Sequence, residues 1–368
     1  MRNRFSLLSA MKWVAMCALL LGHASAGFAQ DQGAAPQSLL TVSKGRVLGL
    51  SFVGRMVGDL DKSVAFYQAL GFAPVAGVNS SWRKDEVMNR IHGARGVESR
   101  MAKFTLNSSS SGKPFTLYLR EFRGLERRNV TGGKTAWEPG ATHIGLTVPD
   151  AGLLWSQLQA ASMLWSRTWD GKLVAFPGQT KGTIAYITDP DGMDVEIIEQ
   201  NPATPATATQ PARPADPPGF NHAGMVMLDI EQAKGFYGAL LGVEFPTTTM
   251  PWASGDFLDS AVGGHGNILR LFNGTIADAA DPAARMRFEL VEYLNRKKQV
   301  EPFSITDIGV SYFGFEVSDI DALVARLQGA GIAVMSDGIV TMTGDYRVVL
   351  VRDPDVGVFV EFFERPKT

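Results

Sequence analysis

The stretch HAGMVMLDIEQAKGFYGALLGVEF, residues 222–245, opens with an apolar alternation ending at Asp229 and continues with Ala233, Phe236, Tyr237 and Leu240 at helical spacing, closed by Gly242. The first part predicts a strand and the second an amphipathic helix. The constraint on the fold is that this pair recurs. VLGLSFVGRMV followed by LDKSVAFYQALGF repeats it, with Asp59, Phe66, Tyr67 and Ala69 standing 170 positions before Asp229, Phe236, Tyr237 and Ala239. HIGLTVPD with AGLLWSQLQAAS, and YFGFEVSD with IDALVARLQGAG, form a second related pair, Asp150 and Leu158 matching Asp319 and Leu327 169 positions on. A near-constant offset is what duplication of a two-unit block leaves behind.

Each strand and helix is followed by further strand-like runs: MAKFTL and PFTLYLREF in the first unit, AYITDPDGMDVEIIEQ with its Asp189-Pro190-Asp191-Gly192 turn in the second, FELVEY in the third, VVLVRDPDVGVFVEFFE in the fourth. The expected fold class is α+β, four βαβββ modules forming two domains with curled mixed sheets. Modules 46–122 and 142–200 make a first domain, 46–200; modules 220–295 and 308–366 make a second, 220–366. Between them NPATPATATQPARPADPPG, residues 201–219, is too rich in proline and small residues to build a core and reads as a linker.

The N-terminus carries Arg2, Arg4 and Lys12, the apolar run Trp13 to Leu21, and small residues around Ala26 and Ala29. That order predicts a signal peptide over 1–29, ahead of a flexible lead-in over 30–45. The expectation is an exported protein, periplasmic or secreted, with no membrane attachment after cleavage. The only cysteine, Cys17, falls within the leader, which excludes disulfides, thiolate metal sites and cysteine nucleophiles from the mature chain. With 35 basic and 37 acidic residues there is no charge excess to suggest a nucleic-acid partner. A monomer with paired domains and a homodimer are both open.

The motif D-x-x-x-(S/A)-x-x-FY in units one and three, followed by LG after two residues in unit one and three in unit three, with DPDG before a V-E-I strand in unit two, resembles the vicinal oxygen chelate superfamily: glyoxalases, extradiol dioxygenases, epimerases and bleomycin or fosfomycin resistance proteins. The resemblance spans residues 46 to 366. It implies one ligand position early in each unit's first strand and one in its last strand, with sheets from two units facing each other across a shared metal. The first-strand position lies seven residues before the Asp of each unit, at Phe52, His143, His222 and Tyr312. The last-strand positions fall on Tyr118, Glu196, Glu289 and Glu361, with Glu121 and Glu292 off the opposite face. The implied metal residues are His143, Glu196, His222, Glu289 and Glu361, with Glu196 and Glu289 as catalytic candidates and no separate organic cofactor.

Two imidazoles and carboxylates on apolar strands suit a divalent ion such as Zn, Fe, Mn or Ni, because an inward-facing charge needs a partner or a metal. If units two and three pair, His143, Glu196, His222 and Glu289 form one complete set and units one and four an aromatic one. If sequential units pair, Glu361 joins His222 and Glu289. One full and one empty set favours the former. The expected function is an exported metal-dependent isomerase or lyase acting on a small oxygen-chelating substrate. Lactoylglutathione is a doubtful substrate for an exported protein. The alternatives are an Fe(II) extradiol-type dioxygenase and a metal-free small-molecule binding protein. Tyr186 and His265 are weaker candidates, and Trp82 and Trp252 could line an apolar pocket.

Overall fold

The computed structural model describes residues 45–76, 80–178, 182–199, 218–246, 251–296 and 298–366. The predicted leader, the lead-in before residue 45 and nearly all of the predicted linker lie outside the described residues.

Among the described residues the units contain twelve long strands and six α-helices: β1 (Val47–Met56), α1 (Leu60–Ala69), α2 (Glu86–Ile91), β2 (Glu98–Asn107), β3 (Pro114–Arg123), β4 (Thr142–Val148), α3 (Ala151–Ala160), β5 (Thr183–Thr188), β6 (Asp194–Glu199), β7 (Gly219–Met227), α4 (Ile230–Lys234), β8 (Ile268–Asp278), α5 (Asp256–Val262, preceding β8), β9 (Asp281–Tyr293), β10 (Ser311–Val317), α6 (Ile320–Gly329), β11 (Arg347–Arg352) and β12 (Phe359–Glu364). The remaining strands are two-residue pairings along the edges, so the middle strand expected in each module is reduced to these fragments. Among the described residues no helix is long and apolar enough to cross a membrane.

The repeated aspartates explain themselves locally. Asp59, Asp150, Asp229 and Asp319 are extended N-cap residues whose carboxylates accept backbone N–H groups of the first helical turn. The next backbone donor in each unit is met by a glutamate from the last strand. Leu60, Ala151, Ile230 and Ile320 donate to Glu121, Glu199, Glu292 and Glu364 at 3.0, 2.9, 3.2 and 3.3 Å. Each of these glutamates stands three residues after a last-strand candidate, on the opposite face of its strand.

The helix of unit three departs from expectation. It is α-helical only over α4 and continues as a π-helix over Gly235–Leu240. Unit three reads FYGALLG where unit one reads FYQALG. The wider turn absorbs that extra residue, so Phe236 and Tyr237 stay buried as Phe66 and Tyr67 do. Both helices end in a glycine with positive φ, Gly71 and Gly242.

Within every unit the first and last long strands pair in parallel: β1 with β3, β4 with β6, β7 with β9, β10 with β12. Across units the first strands pair antiparallel, β4 with β7 and β1 with β10. Units two and three thus form one curled half of the sheet and units one and four the other, the two joined by a short parallel β1–β8 pairing at Leu50 and Asp278. The helices and convex faces of both sheets share one large core that includes Leu50, Phe66, Tyr67, Leu146, Met225, Phe288 and Phe315. Each concave face has its own smaller apolar cluster.

Candidate metal centre

His143 on β4 and His222 on β7 occupy related places on strands that run antiparallel. Glu196 on β6 and Glu289 on β9 stand on the strands flanking them, each in register with the glycine two residues beyond the neighbouring histidine. The two Nε2 atoms are 3.1 Å apart. Glu289 Oε2 lies 3.1 Å from His143 Nε2 and 3.8 Å from His222 Nε2, and Glu196 Oε2 lies 2.9 Å from His222 Nε2. All four side chains are buried.

The strands can approach this closely because each histidine faces a glycine. Gly145 is the cross-strand partner of His222 and Gly224 that of His143. A Cβ at residue 145 would meet the His222 ring at 2.1 Å, and one at 224 would meet the His143 ring at 2.4 Å.

Burial drives His222 well below the ordinary imidazole range, and the Arg287 charge adds to this. It opposes protonation of His143 too, but there the hydrogen bond to Glu289 and the charges of Glu289, Glu196 and Asp194 outweigh it and raise the pKa. Burial raises the Glu196 carboxyl. For Glu289 the burial effect is overcome by His222, His143 and Arg287, which hold the carboxyl below its usual range.

The donor set fits a divalent cation. Bonds of about 2.1 Å at right angles put neighbouring ligand atoms about 3 Å apart, which the 2.9 and 3.1 Å separations match. Two imidazole nitrogens facing each other need a proton or a cation between them, and Glu289 Oε1 is buried with no hydrogen-bond partner. Among the described residues, His143, His222 and Glu289 form the one group of three or more such side chains whose ligand atoms lie within 4.8 Å of one another.

Glu361, the fifth expected ligand, lies in the other sheet. It pairs in register with Gly314 of β10, as Glu196 does with Gly145 of β4, which makes it the counterpart of Glu196 rather than a partner of His222. The sequential pairing that would have brought it to His222 does not form. Around it are Tyr118, Tyr312 and Phe52, the Phe52 ring standing edge-on to both tyrosines. Among the described residues this concave face holds no second metal-ligand group, and burial pushes the Glu361 carboxyl up to about 7, opposed only by the Arg120 charge.

Tyr186 borders the metal centre, its ring edge-on to His143 at 5.5 Å between centroids. Phe257, Val262, Leu269, Leu271, Val291 and Tyr293 join it in the apolar cluster of this concave face. His265 packs on Trp169 in an exposed loop, away from the cluster. Trp82 stacks with Arg123 and Arg100, and Trp252 with Arg270, so both are surface cation–π partners. Sequence reasoning missed Asn221 and Arg287, whose Oδ1 and Nη2 lie 2.9 and 2.7 Å from His222 Nδ1. Strand alternation carried a signal for Arg287, which stands two residues before Glu289 and therefore on its face.

The sequence agrees with this geometry. Residues 49–197 and 221–349 each match a family model described as the glyoxalase/bleomycin resistance protein/dioxygenase superfamily. The chain belongs to that superfamily, with two such regions in tandem. Glyoxalase I from Zea mays is a structural neighbour at 16% identity and TM-score 0.52, with 87% of this chain and 92% of that one covered. A point mutant of the same maize protein aligns at 16% identity and TM-score 0.51, covering 87% and 94%. At these identities the likeness establishes the fold. No curated protein matches the chain by sequence.

Proposed function

We propose that the chain is an exported metal-dependent enzyme of glyoxalase type, an isomerase or lyase acting on a small substrate that presents two oxygens to one divalent ion. The observation that carries this reading is the meeting of His143, His222, Glu289 and Glu196, all buried, at hydrogen-bonding distances on a face lined with apolar side chains. A divalent ion bound there supplies Lewis-acid stabilisation of negative charge developing on a substrate oxygen. His143, His222 and Glu289 hold it. Glu196, its carboxyl raised by burial, is suited to take a proton from carbon and return it. Tyr186, Leu271, Val291 and Tyr293 keep water from the reacting centre.

A second reading, Fe(II)-dependent ring cleavage, is favoured by one observation: the tightest group is two histidines and one carboxylate, the donor set of non-haem iron oxygenases. Metal analysis of untagged protein tests both. About one equivalent of transition metal, lost on His143→Ala and on His222→Ala alike, supports one shared centre. Oxygen uptake with a catechol after anaerobic Fe(II) loading selects the second reading. Absence of metal under every loading condition leaves a binding protein.

A further inference from the structure

His222 Nδ1 has two claimants. Arg287 Nη2 lies 2.7 Å from it and Asn221 Oδ1 lies 2.9 Å from it. A guanidinium can only donate, a carboxamide oxygen can only accept, and a neutral imidazole carries one N–H. Nδ1 can therefore satisfy one of them at a time, and the choice decides what Nε2 offers to the cluster. With Arg287 donating to Nδ1, the proton sits on Nε2, which faces His143 Nε2 at 3.1 Å, and the nitrogen no longer has a lone pair to offer a cation. With Nδ1–H donating to Asn221, the Nε2 lone pair faces His143, Glu289 and Glu196, as a metal requires.

The amide is oriented for the second state. Asn221 Nδ2 donates to Thr147 Oγ1 at 2.8 Å, which leaves Oδ1 as the atom turned to the ring. Asn221 is placed there by a register slip in the β4–β7 pairing between Phe220 and His222. The β1–β10 pairing slips at the corresponding point, between Leu50 and Phe52, but the residue there is Ser51. Arg287 is in register with His222 in the parallel β7–β9 pair, and Thr116 holds that place beside Phe52. The asparagine and the arginine thus occur at the imidazole cleft and neither occurs at the aromatic one.

We infer that His222 is a tautomer latch: Arg287 holds the metal-free centre closed, and Asn221, fixed by Thr147, is the positioning residue that opens it to the ion. This rests on the metal reading proposed above. In the metal-free state the Arg287 charge also offsets Glu196 and Glu289, a role the cation takes over when it enters. The latch makes opposite demands on two neighbours of one ring.

The test uses the full chain, Zn2+ titration by calorimetry, and 15N-histidine long-range NMR spectra. Metal-free wild type is expected to show His222 protonated at Nε2, switching to Nδ1–H with Zn2+. Asn221→Leu should weaken Zn2+ binding about 10- to 100-fold, and Asn221→Asp, which restores an acceptor, should recover it. Arg287→Met should tighten binding, a gain that misfolding cannot imitate. The inference is overturned if Asn221→Leu and Arg287→Met shift the Kd in the same direction or leave it within twofold, or if the tautomer does not change. Failure of wild type itself to bind Zn2+ would instead remove the metal reading, and the latch with it.

Discussion

Gly145 of β4 lies directly opposite His222 of β7, and its missing side chain is the space the imidazole occupies. The same relationship joins Gly224 to His143, Gly54 to Tyr312 and Gly314 to Phe52. Gly145→Ala forces the ring or the strand to move, with an expected stability loss of about 1–3 kcal/mol and metal binding weakened at least tenfold. Gly54→Ala should cost similar stability and leave metal affinity alone. Thermal melts and metal titrations of the two variants check the contrast.

The two carboxylates of the metal centre should separate in function. Glu289 sits within reach of both imidazoles, whereas Glu196 reaches only His222. Glu289→Gln is expected to lose the metal. Glu196→Gln should keep close to one equivalent while turnover falls about 100-fold or more, within the range for removal of a general base. Stoichiometry by elemental analysis, read beside activity once a substrate is in hand, decides it.

Glu361 gives a pH signature. Burial raises its carboxyl from 4.5 to about 7, so the folded protein holds this proton more tightly than the unfolded chain. Stability from this group is therefore full below about pH 4.5 and is lost as pH rises toward 7. Glu361→Gln removes that loss. The variant should match wild type in urea denaturation near pH 4.5 and exceed it near pH 8 by about 1–3 kcal/mol. Equal stability at both pH values would refute the assignment.

Behind the aromatic sheet, Arg55 donates to Tyr67 at 2.7 Å, and Tyr67 donates to Asp189 at 2.9 Å, all fully buried. The related positions in the other half are Met225, Tyr237 and Asp353. There the carboxylate lacks an arginine, and burial pushes it up to about 6. Arg55→Met should therefore destabilise by about 3–5 kcal/mol by leaving a buried carboxylate without its cation. Adding Asp189→Asn should recover part of that loss, measurable as a double-mutant cycle.

The repeat, the helix caps and the ligand positions were legible because they rest on local patterns. An aspartate caps each helix, and a residue seven places earlier falls on the concave face. The pairing of units was harder, yet its signal was present in the glycine two residues after Phe52, His143, His222 and Tyr312, which marks where another strand's ring must sit. The last-strand register was also recoverable. In YLRE, EIIE, ELVE and EFFE the final glutamate turns outward to a helix N-terminus, so the residue three before it must turn inward. Arg287 and Asn221 were missed because their meaning depends on an interstrand slip that no single-strand periodicity reveals.

The crossed pairing of units also sets an order of assembly. Residues 142–293 contain every long strand of the half that carries His143 and His222, so it can close from the middle of the chain outward. The aromatic sheet must instead join β1 to β10 across more than two hundred residues, a loop closure of high contact order. Folding of the outer pair is expected to be the slow phase. A chain emerging from synthesis would hold the His143, His222 and Glu289 cluster complete while its first unit still waits for its last.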